Sequence, residues 1–247
     1  MADAEILLQV DDLSVVFPGE NGLLHAIEGI SFELHKGETL GIVGESGSGK
    51  SMTALSLMQL LPSTGHMESG SIRFTGEAGK SVDLARLDDR EMRKYRGREI
   101  GMIFQEPMSS LNPVFRCGAQ VDEVTRIHLK YGKEKARAHT LELFRKVQLP
   151  DPERIYHAFP HQLSGGQKQR VMIAMAMAAG PRILIADEPT TALDVTVQKA
   201  ILDLMAELRE ETDAAVIFIT HDLGVVAEIA DRVLVMDRGK IVEQSTV

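Results

Sequence analysis

The chain has 247 residues, of which 44% are hydrophobic and 26% charged, an ordinary globular composition with enough apolar material for a sizeable core. Its 27 basic and 36 acidic side chains leave a formal net charge of −9, which argues against a general nucleic-acid binder, while the composition excludes disordered and low-complexity classes. The single cysteine, Cys117, excludes an intrachain disulfide and a cysteine-rich metal site; it reads as a small, partly buried hydrophobe in a reducing compartment.

In chain order, Ile6–Val10, Leu13–Phe17 and Ile30–Leu34 are short β-rich segments, punctuated by the turn residues Pro18-Gly19 and Asn21-Gly22. The first basic residue is Lys36, so the apolar stretch Ile6-Leu7-Leu8 lacks the basic flank of a secretory signal. Leu40–Val43 is a strand that runs into a glycine-rich turn, and a helix pattern follows from Lys50 to about Leu60, stopped by Pro62. Strand character returns at Ser71–Phe74 and Ile100–Phe104. Between them, Arg86–Arg98 interleaves both charge signs at a density that predicts a solvated helical face. From about 106 to 162 the pattern is helical, clearest over Val121–Lys130 and Glu134–Val147. Beyond Ser164, helix (164–179), strand (182–187), helix (195–211), strand (215–220), helix (222–229) and strand (232–236) alternate, which implies parallel βαβ units. The longest apolar run, Val171–Ala179, falls short of the ~20 residues a membrane span needs.

Gly44-Glu45-Ser46-Gly47-Ser48-Gly49-Lys50-Ser51 fits G-x-x-x-x-G-K-[ST] directly between a strand and a helix, the context a phosphate-binding loop requires. Glycines let the backbone curl so that successive N–H groups face one anion, and the helix start adds positive potential. Lys50 would reach the β and γ phosphates and the Ser51 hydroxyl would ligate Mg²⁺, whereas the next residue, Met52, has no part in the site. Arg182–Glu188 is an apolar strand ending in two carboxylates at the carboxyl edge of a parallel sheet. Asp187 is placed to hold Mg²⁺, and Glu188 is the candidate general base for an attacking water. Ser164-Gly165-Gly166-Gln167 forms a second anion-receptive helix start, for which capping accounts only for Ser164. Two phosphate-seeking sites so far apart in one chain suggest that two copies, or two homologues, complete each other's nucleotide sites.

Leu163–Gln167, lying between the phosphate loop and Asp187-Glu188, resembles the signature of ATP-binding cassette (ABC) ATPases, over essentially the whole chain. The resemblance implies an α/β P-loop NTPase core with a mainly parallel sheet, an N-terminal antiparallel β subdomain and a helical subdomain inserted at about 106–180 of a single domain, 1–247. It also implies that Phe17 stacks on adenine, that Gln105 contacts Mg²⁺ or the lytic water, and that His221 contacts the γ-phosphate. Thr191-Ala192-Leu193-Asp194 matches the D-loop, where the family more often has Ser at the position of Thr191.

Phe104–Pro113, His161–Ala174 and Ala186–Thr196 resemble the oligopeptide, dipeptide and nickel importer branch. Members usually continue for several dozen residues beyond Val242-Glu243-Gln244. The implied function is a Mg²⁺-dependent ATPase that powers import, most naturally of di- or oligopeptides, from the cytoplasmic face of the inner membrane. ATP and Mg²⁺ are the implied ligands. The implied partners are a second cassette subunit, two permease subunits and, indirectly, a substrate-binding protein, with no nucleic acid. A soluble ABC ATPase acting on DNA or ribosomes, or the ATPase of a nickel importer, are the alternatives.

Overall fold

The computed structural model describes residues 5–19, 22–76, 79–105, 110–191 and 194–247. These divide into two compact units, one made of the chain up to Arg96 together with Asp213–Val247, the other of Gly97–Thr212.

In the first unit, β1 (Ile6–Gly19), β2 (Gly22–His35), β4 (His66–Thr75) and β5 (Ser81–Asp83) form an antiparallel sheet in the order β2-β1-β4-β5. The two segments expected at 6–10 and 13–17 are one strand. Its register slips between Val10 and Leu13, where Asp12 adopts φ 47°. The slip is a bulge whose polar groups are satisfied: the Asp12 N–H donates to Ser31 Oγ at 2.9 Å and Ser14 Oγ accepts from the Gly29 N–H at 2.9 Å.

The same unit holds β3 (Thr39–Gly44), β8 (Ala215–Thr220) and β9 (Arg232–Asp237), with β3 parallel to both of the others and β10 (Lys240–Thr246) antiparallel to β9. Thr39–Val43 and all of β8 are buried, as expected for β-branched strands covered on both faces. Burying a Leu, Ile or Val side chain completely stabilises by ~1.5–3 kcal/mol, and Leu40, Ile42, Ile217 and Ile219 are each 0% exposed. Helix α8 (Leu223–Ile229) presses so closely on β3 that a Cβ at Gly41 would meet Val226 Cγ1 at 2.6 Å.

Helix α1 (Lys50–Leu57) is shorter than its expected end at Leu60, and the helical face expected over Arg86–Arg98 is only a four-residue helix, α2 (Asp89–Met92). One side chain accounts for both corrections. Arg96 donates from Nε to Met58 O and from Nη2 to Gln59 O, both at 2.8 Å, and pairs with Asp89 at 2.7 Å. The guanidinium thus takes up carbonyls just beyond α1, and Gln59 turns to φ 49°.

In the second unit, β6 (Ile100–Ile103) pairs in parallel with β7 (Ile183–Asp187), Ile103 opposite Ala186. Around them lie α3 (Cys117–His128), α4 (Lys133–Lys146), α5 (Pro152–His157), α6 (Gly165–Met177) and α7 (Val195–Thr212). A Cβ on Gly101 would lie 2.6 Å from Ala176 O, so α6 rides on β6 with no room for a side chain. Helices α3, α4 and α5 converge on buried Asp122, which accepts from Thr140 Oγ1 and from the Tyr156 hydroxyl, each at 2.6 Å. Cys117, expected to be partly buried, is fully buried, and burial pushes its thiol up to about 11. Among the described residues no helix is long and apolar enough to cross a membrane.

Candidate functional site

The loop from Gly44 to Ser51 turns out of β3 and into α1, with Glu45, Ser46 and Gly47 at its exposed tip. Its glycines are dictated by geometry. A Cβ on Gly44 would collide with Met236 O and lie 2.6 Å from Ser48 Oγ; Gly49, at φ 105°, has Ala26 O 2.7 Å from where its Cβ would stand. The curl is closed by the Ser48 N–H, which donates to Glu45 O at 3.1 Å, and by the Gly239 N–H, which donates to Ser48 O at 3.0 Å. Lys50 is buried and folds back over the turn, donating to Gly44 O at 2.8 Å and Glu45 O at 2.9 Å.

Three features of this loop fit an anion. The Ser48 hydroxyl is 3% exposed and without a hydrogen-bond partner among the described residues. Helix α1 starts with no side-chain cap and its first turn carries no acid, which suits the positive potential of a helix start. An ammonium is already held across the turn. Val43 of β3 pairs with Thr220 of β8, so exposed His221 emerges at the same strand edge as the loop. Asp222 starts α8, accepting from the Gly224 N–H at 2.8 Å. Phe17 is half-buried near the end of β1, opposite Leu24 of β2.

In the second unit, β7 delivers a buried Asp187, 4% exposed, and then Glu188 at φ 46°. The parallel register of β6 and β7 brings Gln105 beside it. Gln105 Nε2 donates to Glu188 Oε2 at 3.2 Å, and Thr191 Oγ1 donates to the same oxygen at 2.7 Å. Sequence reasoning placed Gln105 near the reaction but gave the Thr191 hydroxyl no task; the structure puts it on the carboxylate. Glu106–Ser109 of the segment after Gln105, and Ala192-Leu193 of the D-loop, lie outside the described residues.

Ser164 caps α6, accepting from the Gln167 N–H at 3.3 Å, while Gln167 Oε1 accepts from the Ser164 N–H at 3.2 Å. This reciprocal capping box corrects the expectation that capping explains Ser164 alone. Gly166 is also explained structurally, since its Cβ would stand 2.9 Å from Val197 Cγ1 of α7. Asp194 caps α7, accepting from the Val197 N–H at 3.0 Å. Between the starts of α6 and α7 is a cavity of about 260 Å³, lined in part by Ser164, Gln167, Arg170 and Val197.

The family model described as ABC transporter matches residues 27–191. The chain belongs to the ABC transporter family. It is 54% identical over 242 residues to the oligopeptide transport ATP-binding protein OppD of Bacillus subtilis (strain 168), covering 98% of this chain and 66% of that protein. A probable peptide ABC transporter ATP-binding protein, y4tR of Sinorhizobium fredii, is 50% identical over 99% of this chain and 72% of its own length. The glutathione import ATP-binding protein GsiA of Pectobacterium atrosepticum is also 50% identical, but the chain spans only 39% of it.

Among solved structures, the dimeric ATP-binding cassette MJ0796 in a post-hydrolysis state with ADP and Pi superposes with a TM-score of 0.84 at 29% identity, over 97% of this chain and 98% of that one. CbiO1 of Clostridium perfringens, part of the ABC transporter complex cbiONQ, gives 0.79 at 28%, over 98% and 89%. The fold is that of an ABC ATPase cassette.

Proposed function

We propose that this chain is the Mg²⁺-dependent ATPase subunit of an importer for di- or oligopeptides. The importer would hold a second cassette and two permease subunits and be fed by a substrate-binding protein. The kinship to OppD and y4tR supports the peptide branch. The single observation that carries the enzymatic reading is Glu188: a carboxylate gripped by Gln105 and Thr191, directly after a buried Asp187, on a backbone in the left-handed region.

On this reading the loop Gly44–Ser51 cradles the triphosphate of ATP with backbone N–H groups, and Lys50 neutralises its charge. Phe17 stacks on the adenine. Ser51, Gln105 and Asp187 would hold Mg²⁺, offering the hard oxygen donors that ion takes, and the ion would offset charge on the phosphates. Glu188 accepts a proton from water as the oxygen attacks in line, and His221 donates to the γ-phosphate as charge spreads over its oxygens. Ser164–Gln167 of a partner cassette closes over the same triphosphate, with Asp194 beside that interface.

Docking to the permeases falls to the loop after Gln105 and the helical insert, at about 106–162. Val114 and Phe115, 70% and 55% exposed just past Gln105, offer it apolar side chains. The protein would sit peripherally on the cytoplasmic face of the inner membrane.

Glu188→Gln tests this. The variant is expected to bind ATP with wild-type affinity while kcat falls by ~10²–10⁴, the worth of a general base. A kcat equal to wild type removes Glu188 from the reaction.

A further inference from the structure

Gly65 closes a turn in which its N–H donates to Pro62 O at 2.8 Å, immediately before β4. Its φ is not positive, so the backbone here does not call for glycine. What calls for it is a ring. A Cβ on Gly65 would collide with Phe17 Cε1 and lie 2.5 Å from Cζ and 3.1 Å from Cδ1, where contacts below 3.0 Å force something to shift.

The register explains the proximity, because Val16 of β1 pairs with His66 of β4 and the next residues along are Phe17 and Gly65. On the other flank of Phe17 stands Leu24, its partner across β1 and β2, which is 64% exposed. The sheet carrying this ring runs past the phosphate loop, since Ala26 O of β2 occupies the space beside Gly49.

We propose that Gly65 is a positioning residue for nucleotide binding. By offering a bare backbone for the Phe17 ring to lie against, it fixes the plane on which the base stacks, separately from the grip on the phosphates. This rests on the reading of Phe17 as the base platform. Stacking uses the π-face that every base has, so the effect extends to guanine as well as adenine nucleotides. A methyl at position 65 lifts the ring off its seat and costs stacking while leaving Lys50 and its loop as they are.

Titration calorimetry with the full chain, using a non-hydrolysable ATP analogue and, separately, magnesium tripolyphosphate, tests this. Phe17→Ala is expected to weaken the analogue about five- to a hundredfold, the loss of one base–aromatic stack. Gly65→Ala should weaken it roughly threefold or more, part of that same loss. Tripolyphosphate affinity should stay within about twofold in both variants, as the phosphate loop is untouched. In a Phe17→Ala background, with no ring to displace, Gly65→Ala should add nothing.

If Gly65→Ala binds the analogue like wild type while Phe17→Ala does not, the inference fails and the Phe17 platform survives. If Phe17→Ala itself has no effect, the platform reading fails. Equal weakening of analogue and tripolyphosphate by Gly65→Ala marks a general disturbance and overturns the proposal. Should the single Gly65→Ala variant not fold, the double variant decides: binding weaker than Phe17→Ala alone overturns it.

Discussion

Glu188 pays for its position with a left-handed backbone, which costs a residue bearing a Cβ on the order of 1–2 kcal/mol. Two donors to Oε2 fix the carboxylate once the chain has made that turn. The shorter hydrogen bond, from Thr191 Oγ1, gives that hydroxyl a task in orienting the base without touching substrate. Thr191→Val keeps the shape and removes the donor; kcat should fall roughly tenfold with KM little changed, as expected when a reacting group is misplaced while substrate binding stays intact. Thr191→Ser should restore the rate, because the hydroxyl is retained. Steady-state ATPase kinetics on the three proteins checks this, and a Val variant with wild-type kcat would leave the hydrogen bond without catalytic weight. At this scale the motifs were legible where chemistry needs fixed spacing in one stretch of chain, as with Gly44–Ser51 and Asp187-Glu188. The Thr191 hydroxyl and the Gln167 capping bond were not, because each depends on how a turn or a helix start closes in three dimensions.

At the scale of elements, the three helices α3, α4 and α5 are tied by one carboxylate. Asp122 is 7% exposed, and the hydroxyls of Thr140 and Tyr156 satisfy it. Burial first, then the hydrogen bond to Asp122, pushes the Tyr156 phenol up to about 12. A phenol whose folded value stands above its usual value near 10 favours folding while neutral. That contribution is complete below pH ~10 and is lost as pH rises through about 12. Tyr156→Phe should therefore destabilise the fold at pH 8 by about 1–3 kcal/mol, the cost of leaving a buried carboxylate short of a donor, and the gap from wild type should begin to narrow above pH ~10. Urea unfolding at pH 8 and pH 10.5 reads both. Element order was largely legible because long periodic helices and buried strands announce themselves. The bulged β1 was split in two, since a residue inserted at the bulge breaks the period of two. β5 and β10 escaped notice because three and seven residues carry too little periodicity. Arg86–Arg98 misled for a different reason: Arg96 serves carbonyls thirty-seven and thirty-eight residues earlier in the chain, which no local pattern shows.

For the molecule as a whole, the proposed working unit is two cassettes, and a pair formed by two copies of this chain brings together two net charges of −9. Self-repulsion opposes their approach, and salt screens it beyond ~8–10 Å. Pairing should therefore strengthen with ionic strength, the reverse of an encounter steered by opposite charges. On the proposed function, the local attraction that overcomes repulsion would be the start of α6 meeting a partner's γ-phosphate. Ser164→Asp isolates that attraction, because Asp caps helices as well as Ser does and so preserves α6, yet places an anion where the phosphate must come. In a Glu188→Gln background with ATP and Mg²⁺, light scattering should show a dimer that Ser164→Asp abolishes and Ser164→Asn, a neutral cap, retains. ATP affinity of the monomer should be the same in all three, since the bonds that hold Lys50 run to Gly44 and Glu45 and those that close the loop involve Ser48 and Gly239. If Ser164→Asp still dimerises with nucleotide, the helix start does not grip the partner's phosphate and the shared site is wrong.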